Sequence, residues 1–121
     1  MNGTVDQYGR ALVAIQLKKP GDRGRFLKFK AWIDTGFTGE LVLPKSIVEE
    51  LDLPHANVIK AELGDGSLTV FDTNNCVLKW FDELIEIEAL ESSGDFPLVG
   101  VSLLKGHEVL IDYDRNRVRV V

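Results

Sequence analysis

Ile33-Asp34-Thr35-Gly36-Phe37-Thr38-Gly39 sets a carboxylate on a tight Thr-Gly turn between two apolar runs. The run before it, Phe29-Lys30-Ala31-Trp32-Ile33, reads as a half-buried strand. The run after it, Leu41-Val42-Leu43-Pro44, reads as a buried strand closed by a breaker. A carboxylate placed there loses hydration, so hydrogen-bond donors must meet it. The Thr35 hydroxyl and the backbone N–H groups of a glycine-containing turn are the candidate donors. Such a balance of lost water against supplied donors is how a fold prepares a carboxylate for acid–base work.

Two further segments bear on this turn. Ala61-Glu62-Leu63-Gly64-Asp65-Gly66-Ser67-Leu68-Thr69-Val70 has a Gly-Asp-Gly centre, which predicts a hairpin because glycine supplies the positive φ that tight turns need. Downstream, Leu98-Val99-Gly100-Val101-Ser102-Leu103-Leu104 places an apolar pair and a glycine ahead of a short helical turn. At these distances the three segments resemble the retroviral-type, retropepsin-like aspartic proteases, the single-domain half-size relatives of pepsin. The likeness spans Leu27 to Val121. It implies a mostly β, closed barrel-like acid-protease half with one or two short helices, formed by residues 1–121 as one domain.

The resemblance also implies roles. Asp34, Thr35 and Gly36 would form the catalytic turn, with Thr35 bonding across a twofold axis and Gly36 allowing close backbone approach. Phe37, Leu63, Gly64, Asp65, Gly66, Leu98 and Val99 would bind substrate, with Leu63 to Gly66 on a mobile flap. Gly100 would back the catalytic turn. The chemistry needs two carboxylates sharing a proton, one acting as base on a water and the other donating to the peptide carbonyl. This chain has one Asp-Thr-Gly, so a homodimer must supply the pair. The expected activity is hydrolysis of a peptide or protein substrate without a cofactor.

Composition agrees and narrows the alternatives. A 121-residue chain that is 45% hydrophobic supports one domain. A formal net charge of −5 lacks the basic excess of a nucleic-acid binder. The polar start Met1-Asn2-Gly3-Thr4-Val5-Asp6-Gln7 lacks a signal-peptide layout, and no apolar run reaches membrane-spanning length. Cys76 is the single cysteine, which excludes an intrachain disulfide and favours a reducing compartment, the cytoplasm by default. It sits at an expected strand start with no basic neighbour to activate it. His55 and His107 stand alone, so no metal site is expected. There is no Gly-x-Ser-x-Gly elbow and no phosphate loop.

The remaining elements follow from pattern. Ala11 to Leu17 is the first expected strand, followed by a polar, basic loop from Lys18 to Arg25 and a return through Phe26 to Lys30. This reads as a long-tipped hairpin whose lysines keep other sheet edges away, the alternative being that the basic tip is an electropositive contact point. Ser46 and Glu49 have capping-box spacing ahead of a short helix with Ile47 and Leu51 on one face, ended by Asp52-Leu53-Pro54. Leu84 to Leu90 reads as a strand with Glu86 and Glu88 on its wet side, with a helix as the alternative. Glu108 to Tyr113 and Arg117 to Val121 form a C-terminal hairpin around Asp114-Arg115-Asn116.

Some residues depart from the retroviral pattern. Phe37 stands where a small residue is usual, and Thr38 and Val101 stand where those enzymes carry a paired acid and arginine. The form Asp-Thr-Gly-Phe-Thr-Gly is similar to the small bacterial and archaeal members. Phe37 crowding the cleft is the feature that favours a rival, a dimeric peptide-binding or scaffold domain that kept the fold and lost efficient catalysis. A third option is an all-β interaction domain in which Asp34 is a turn residue.

Overall fold

Alternation of side chains along extended backbone decides the architecture. In the computed structural model, which describes all residues from Met1 to Val121, strand β2 (Ala11–Lys18) buries Ala11, Val13, Ile15 and Leu17 while Ala14 faces out. It turns through the basic tip into β3 (Leu27–Ile33), pairing antiparallel from Leu12↔Trp32 to Leu17↔Leu27. Beyond the Asp34 turn come β4 (Leu41–Pro44), buried at all four positions, and the helix α1 (Lys45–Glu50). A long hairpin follows, β5 (His55–Glu62) and β6 (Leu68–Trp80), then β7 (Glu83–Ser92), β8 (Leu98–Val99) and the helical turn α2 (Val101–Leu104). The chain ends in β9 (Val109–Asp112) and β10 (Arg117–Val120).

The strands close on themselves. β6, β7, β4, β8, β3 and β2 are hydrogen-bonded in that order, and β6 returns to β2 through Gln16↔Lys79 and Lys18↔Val77, making a six-stranded barrel. Two of its pairings are parallel, β3 with β8 and β4 with β7, so β8 is wedged between the strands that flank the Asp34 turn. Leu17, Leu41, Leu43, Leu78 and Val99 are fully enclosed inside. The fold is mostly β with two short helices, as expected. No helix is long and apolar enough to cross a membrane.

Three expectations need correction. The polar N-terminus forms a strand, β1 (Asn2–Val5), paired with both β2 and β10. Polar composition hid it, yet Gly3 is the local reason it fits: a Cβ there would stand 2.0 Å from the Leu12 carbonyl oxygen. The capping box is not made. α1 starts two residues earlier than its spacing implied, with Pro44 at the cap and no side-chain cap bond. Its end is as expected, with Asp52 in the left-handed region at φ 50°. Cys76 lies mid-strand in β6, because the return strand runs unbroken from Leu68 to Trp80.

Enclosure fixes the chemistry of Cys76. Burial, with the Glu40 and Glu86 carboxylates adding to it, pushes its thiol up to about 12 from 9.0. At pH 8 iodoacetamide is therefore expected to alkylate Cys76 only as fast as the protein unfolds. The unfolded thiol ionises from pH 9.0 and the folded one only near 12. Stability held below pH 9 is thus lost as pH rises between those values. Urea titrations should show that loss in the parent and lack its Cys76 share in Cys76→Ala. Alkylation of native protein faster than unfolding would refute the enclosure.

Candidate active site

Asp34 is held from three directions. Its N–H continues the β3–β8 ladder by donating to the Val99 carbonyl at 2.9 Å. Its own carbonyl accepts the Phe37 N–H at 3.2 Å, closing the turn, and its Oδ1 accepts the Gly36 N–H at 2.9 Å. The side chain is half-buried, and the fixed Oδ1 leaves Oδ2 as the atom free of protein donors.

The loop after the turn is tied to the start of α2 by consecutive bonds. The Gly100 N–H donates to Glu40, Val101 N–H to Phe37 and Ser102 N–H to Gly39, all onto backbone carbonyls at 2.8–3.1 Å. The Ser102 hydroxyl donates to the Thr38 carbonyl at 2.5 Å. All four bonds are between uncharged groups, so the loop and the start of α2 are clasped without an ion pair. Ser102 was not singled out from sequence; its place two residues after Gly100 was the available signal.

Gly100 is where the two backbones come closest. A Cβ there would lie 2.1 Å from the Gly39 carbonyl oxygen and 2.5 Å from Phe37 Cδ2, and one on Gly39 would lie 2.5 Å from Phe37 Cζ. The bulky Phe37 ring is thus accommodated against two glycines. Gly36 is tight in a milder way, with Asp34 Oδ1 at 3.2 Å from its Cβ position.

Asp34 opens onto a groove of about 700 Å³ under the β5–β6 hairpin. Of the residues expected to bind substrate, Phe37, Leu63, Gly64 and Leu98 line it, together with Gly36. Asp65 and Gly66 sit exposed at the hairpin tip outside the lining, where Gly66 takes φ +84° and Asp65 accepts from Ser67. Val99 does not line the groove: it is fully buried, because the carbonyl that anchors Asp34 belongs to a strand whose side chain faces the core. Thr35 is exposed, and Gly100 is buried beneath the turn. The groove also takes Val42, Ala61, Phe71 and Leu90, which sequence reading missed. Ala61 and Phe71 share the inner face of the hairpin, as the Ile59↔Phe71 and Ala61↔Thr69 pairings require. Glu62 is the other carboxylate at the groove, and its Oε1 lies 4.0 Å from the Cβ position of Gly66, beside the hairpin tip.

A second pocket of about 560 Å³ adjoins the groove, sharing Phe71, Ser92 and Leu98 with it. Arg10 stands in its wall, bonded to Asp6 at 2.6 Å and lying 4.2 Å from the Phe96 ring centre and 5.9 Å from that of Trp32. Desolvation raises the Asp6 carboxyl, but hydrogen bonds from Arg10 and Tyr8 outweigh it and hold the group below its usual range. The histidines serve structure. His55 pairs with Asp72 at 3.1 Å, and His107 stacks on Phe81 at 4.5 Å. No group of three or more His, Cys, Asp or Glu side chains is placed to hold a metal.

No protein-family model matches the sequence, and no curated protein matches it. Among solved structures, it is similar to the crystal structure of a retropepsin-like aspartic protease from Rickettsia conorii. The match covers 98% of this chain and 87% of that one at 17% identity and a TM-score of 0.59. At that identity the likeness shows the fold: the chain has a retropepsin-like barrel.

The close approach at Gly100 generates a contrast. Gly100→Ala is expected to lower stability by about 1–3 kcal/mol, since neither the Gly39 backbone nor the packed Phe37 ring has room to yield. Gly64→Ala has open space and no left-handed φ, so its cost should stay within about 0.5 kcal/mol. Urea midpoints measure both. Equal midpoints for the two variants would remove Gly100 as support of the turn.

Proposed function

We propose that the chain is a single-domain aspartic endopeptidase that works as a homodimer. In this reading Asp34 of each copy meets its mate across a twofold axis passing near Thr35. The pair shares one proton: one carboxylate takes a proton from water, the other gives one to the peptide carbonyl. Thr35 and Gly36 hold the turn, the β5–β6 hairpin covers an extended peptide, and no cofactor is required. The observation that carries this reading is the anchoring of Asp34. Ladder, turn and side-chain bonds fix one carboxylate oxygen and leave the other without a protein donor, on a residue that lines the groove.

The exposure of Thr35 leaves the turn accessible to a second copy. β1 and β10 pair with each other inside the chain, so the dimer contact is assigned to the turn and to other surfaces, not to exchanged terminal strands. The rival reading, a peptide-binding domain without catalysis, drew on Phe37 crowding the cleft. Packing of that ring against Gly39 and Gly100 weakens it. A reducing compartment such as the cytoplasm fits the lone enclosed Cys76.

The decisive experiment mixes chains. Asp34→Asn should abolish cleavage of a peptide library with little change in fold. When parent and Asp34→Asn chains are refolded together, activity per total protein should fall as the square of the parent fraction, since only doubly acidic dimers work. A linear fall, with exchange verified by mass spectrometry, would mean that each chain has a complete site.

The same pair sets the pH dependence. Two like charges at hydrogen-bond distance resist double ionisation, and the doubly protonated pair has no base. The rate is therefore expected to be bell-shaped, with its optimum on the acid side of neutral. A rate that climbs steadily through neutral pH would contradict the shared proton.

A further inference from the structure

Charge is distributed unevenly along this chain. Residues 18–30 hold six of its fourteen Lys and Arg but one of its nineteen Asp and Glu. Against a total of −5, that segment is +5 and the remainder −10. The paired strands gather part of this charge on one face. Lys28 and Lys30 alternate along β3 with inward residues, on the same outward side as Trp32. Register sets Gln16 beside Lys28 and Lys79 beside Gln16, so a third lysine joins the row from β6. Lys28, Lys30 and Lys79 are exposed, and none is in an ion pair, whereas Lys19 at the hairpin tip is paired with Asp52. Glu86, opposite Val77, lies diagonal to Lys79. Lys28 and Lys30 have Gln16 and Ala14 across from them.

The lysine row is continuous with the groove. Trp32 follows Lys30 on the same face and lines the 560 Å³ pocket that shares a wall with the groove. From Asp34, Lys30 is four residues and Lys28 six residues back along one strand, roughly 13 and 20 Å at about 3.3 Å per residue. An extended peptide leaving the groove covers that span with four to six residues of its own. The pocket between carries Glu91 and Asp95 against Lys45 and an Arg10 already engaged by Asp6, so its charges offset and the unbalanced cations lie beyond it in the lysine row.

We propose that the row of Lys28, Lys30 and Lys79 is a docking surface for an acidic stretch of the polypeptide whose central residues occupy the groove. That stretch begins four to six residues from the Asp34 position, beyond the pocket and not within it. The inference rests on the groove being a peptide cleft. Its occupant is a polypeptide because the surface continues an extended-chain groove along one strand. The occupant is acidic because Lys28 and Lys30, with neutral Gln16 and Ala14 across from them, are cations without a partner on an otherwise acidic molecule, and Lys79 extends them. An acidic chain is repelled elsewhere and oriented here.

The test reads binding, in Asp34→Asn protein, by fluorescence anisotropy. The probe is the tightest-binding apolar-centred octapeptide from a random pool, without a tail or with a six-residue Glu/Asp tail at either end. At low salt one tailed form should bind roughly fivefold tighter than the untailed form, and the gain should vanish near 0.5 M salt, where the Debye length is only about 4–5 Å. In Lys28→Gln/Lys30→Gln the tailed-to-untailed ratio should fall to about one. In Arg115→Gln/Arg119→Gln, which removes charge from the C-terminal hairpin, it should persist.

A ratio of one in the parent overturns the proposal. So does a ratio that survives the lysine change or is lost equally with the arginine change. Tighter binding of single-stranded RNA or anionic vesicles than of the tailed peptide, through the same lysines, would overturn the choice of partner. Absence of cleavage by the parent, with the tail effect present, would sink the peptidase reading and leave this surface standing. Cleavage without a tail effect would do the reverse. If no octapeptide binds, the groove is not a peptide cleft and both fall.

Discussion

At Gly100 the start of α2 presses its backbone against the loop that follows the Asp34 turn, with no space for a single methyl group between them. The contact works because Gly39 lies on one side, Gly100 on the other and the Phe37 ring fills what remains. It brings the Gly100, Val101 and Ser102 N–H groups within bonding distance of three consecutive-region carbonyls, so the loop gains partners for polar backbone that it would otherwise bury unpaired. β8 is drawn in by the same approach. Its Val99 carbonyl then meets the Asp34 N–H, and the carboxylate inherits a fixed position from a parallel ladder. A flexible loop offers no such register.

The groove is built by a different device, the two-residue period of the β5–β6 hairpin. Ile59, Ala61, Thr69 and Phe71 fall on its inner face and are half-buried. Val58, Lys60, Leu68 and Val70 fall on its outer face and are exposed. The hairpin covers Asp34 through apolar contacts on one side only and hangs from β6, which belongs to the barrel. The tip needs one left-handed residue, and Gly66 supplies it. Gly64, the other glycine of the motif, takes no such conformation.

Where side-chain period and turn chemistry acted locally, the sequence was legible. β2, β3, β4, β7 and the C-terminal hairpin all fall where alternation or apolar runs placed them. The Asp34 turn, the covering hairpin and the glycine ahead of α2 were visible as motifs. What escaped notice depended on distant partners. β1 is polar and gains its strand from β2 and β10, including a close approach permitted by Gly3. The misjudged Val99 shows the same limit. Its backbone serves the site and its side chain serves the core, and a motif names the residue without saying which half of it works. Val42 and Leu90 enter the groove from strands paired in parallel across long sequence separation, which no local pattern reports.

The asymmetry of this molecule is that its cleft is nearly whole while its acid is single. Barrel, cover and turn are all present in one chain, but the only carboxylate held by backbone donors at the groove is Asp34; Glu62 sits by the hairpin tip without that support. A second equivalent acid would require a second Thr-Gly turn, a second β8-like strand and a second glycine approach, which is most of another barrel. These 121 residues form one such barrel. In the proposed homodimer, a twofold axis through the exposed turn would repeat every anchoring bond in the partner. Such an axis needs Thr35 on the surface and the anchoring strands beneath it. The turn has that arrangement, with Thr35 exposed and Val99 and Gly100 buried.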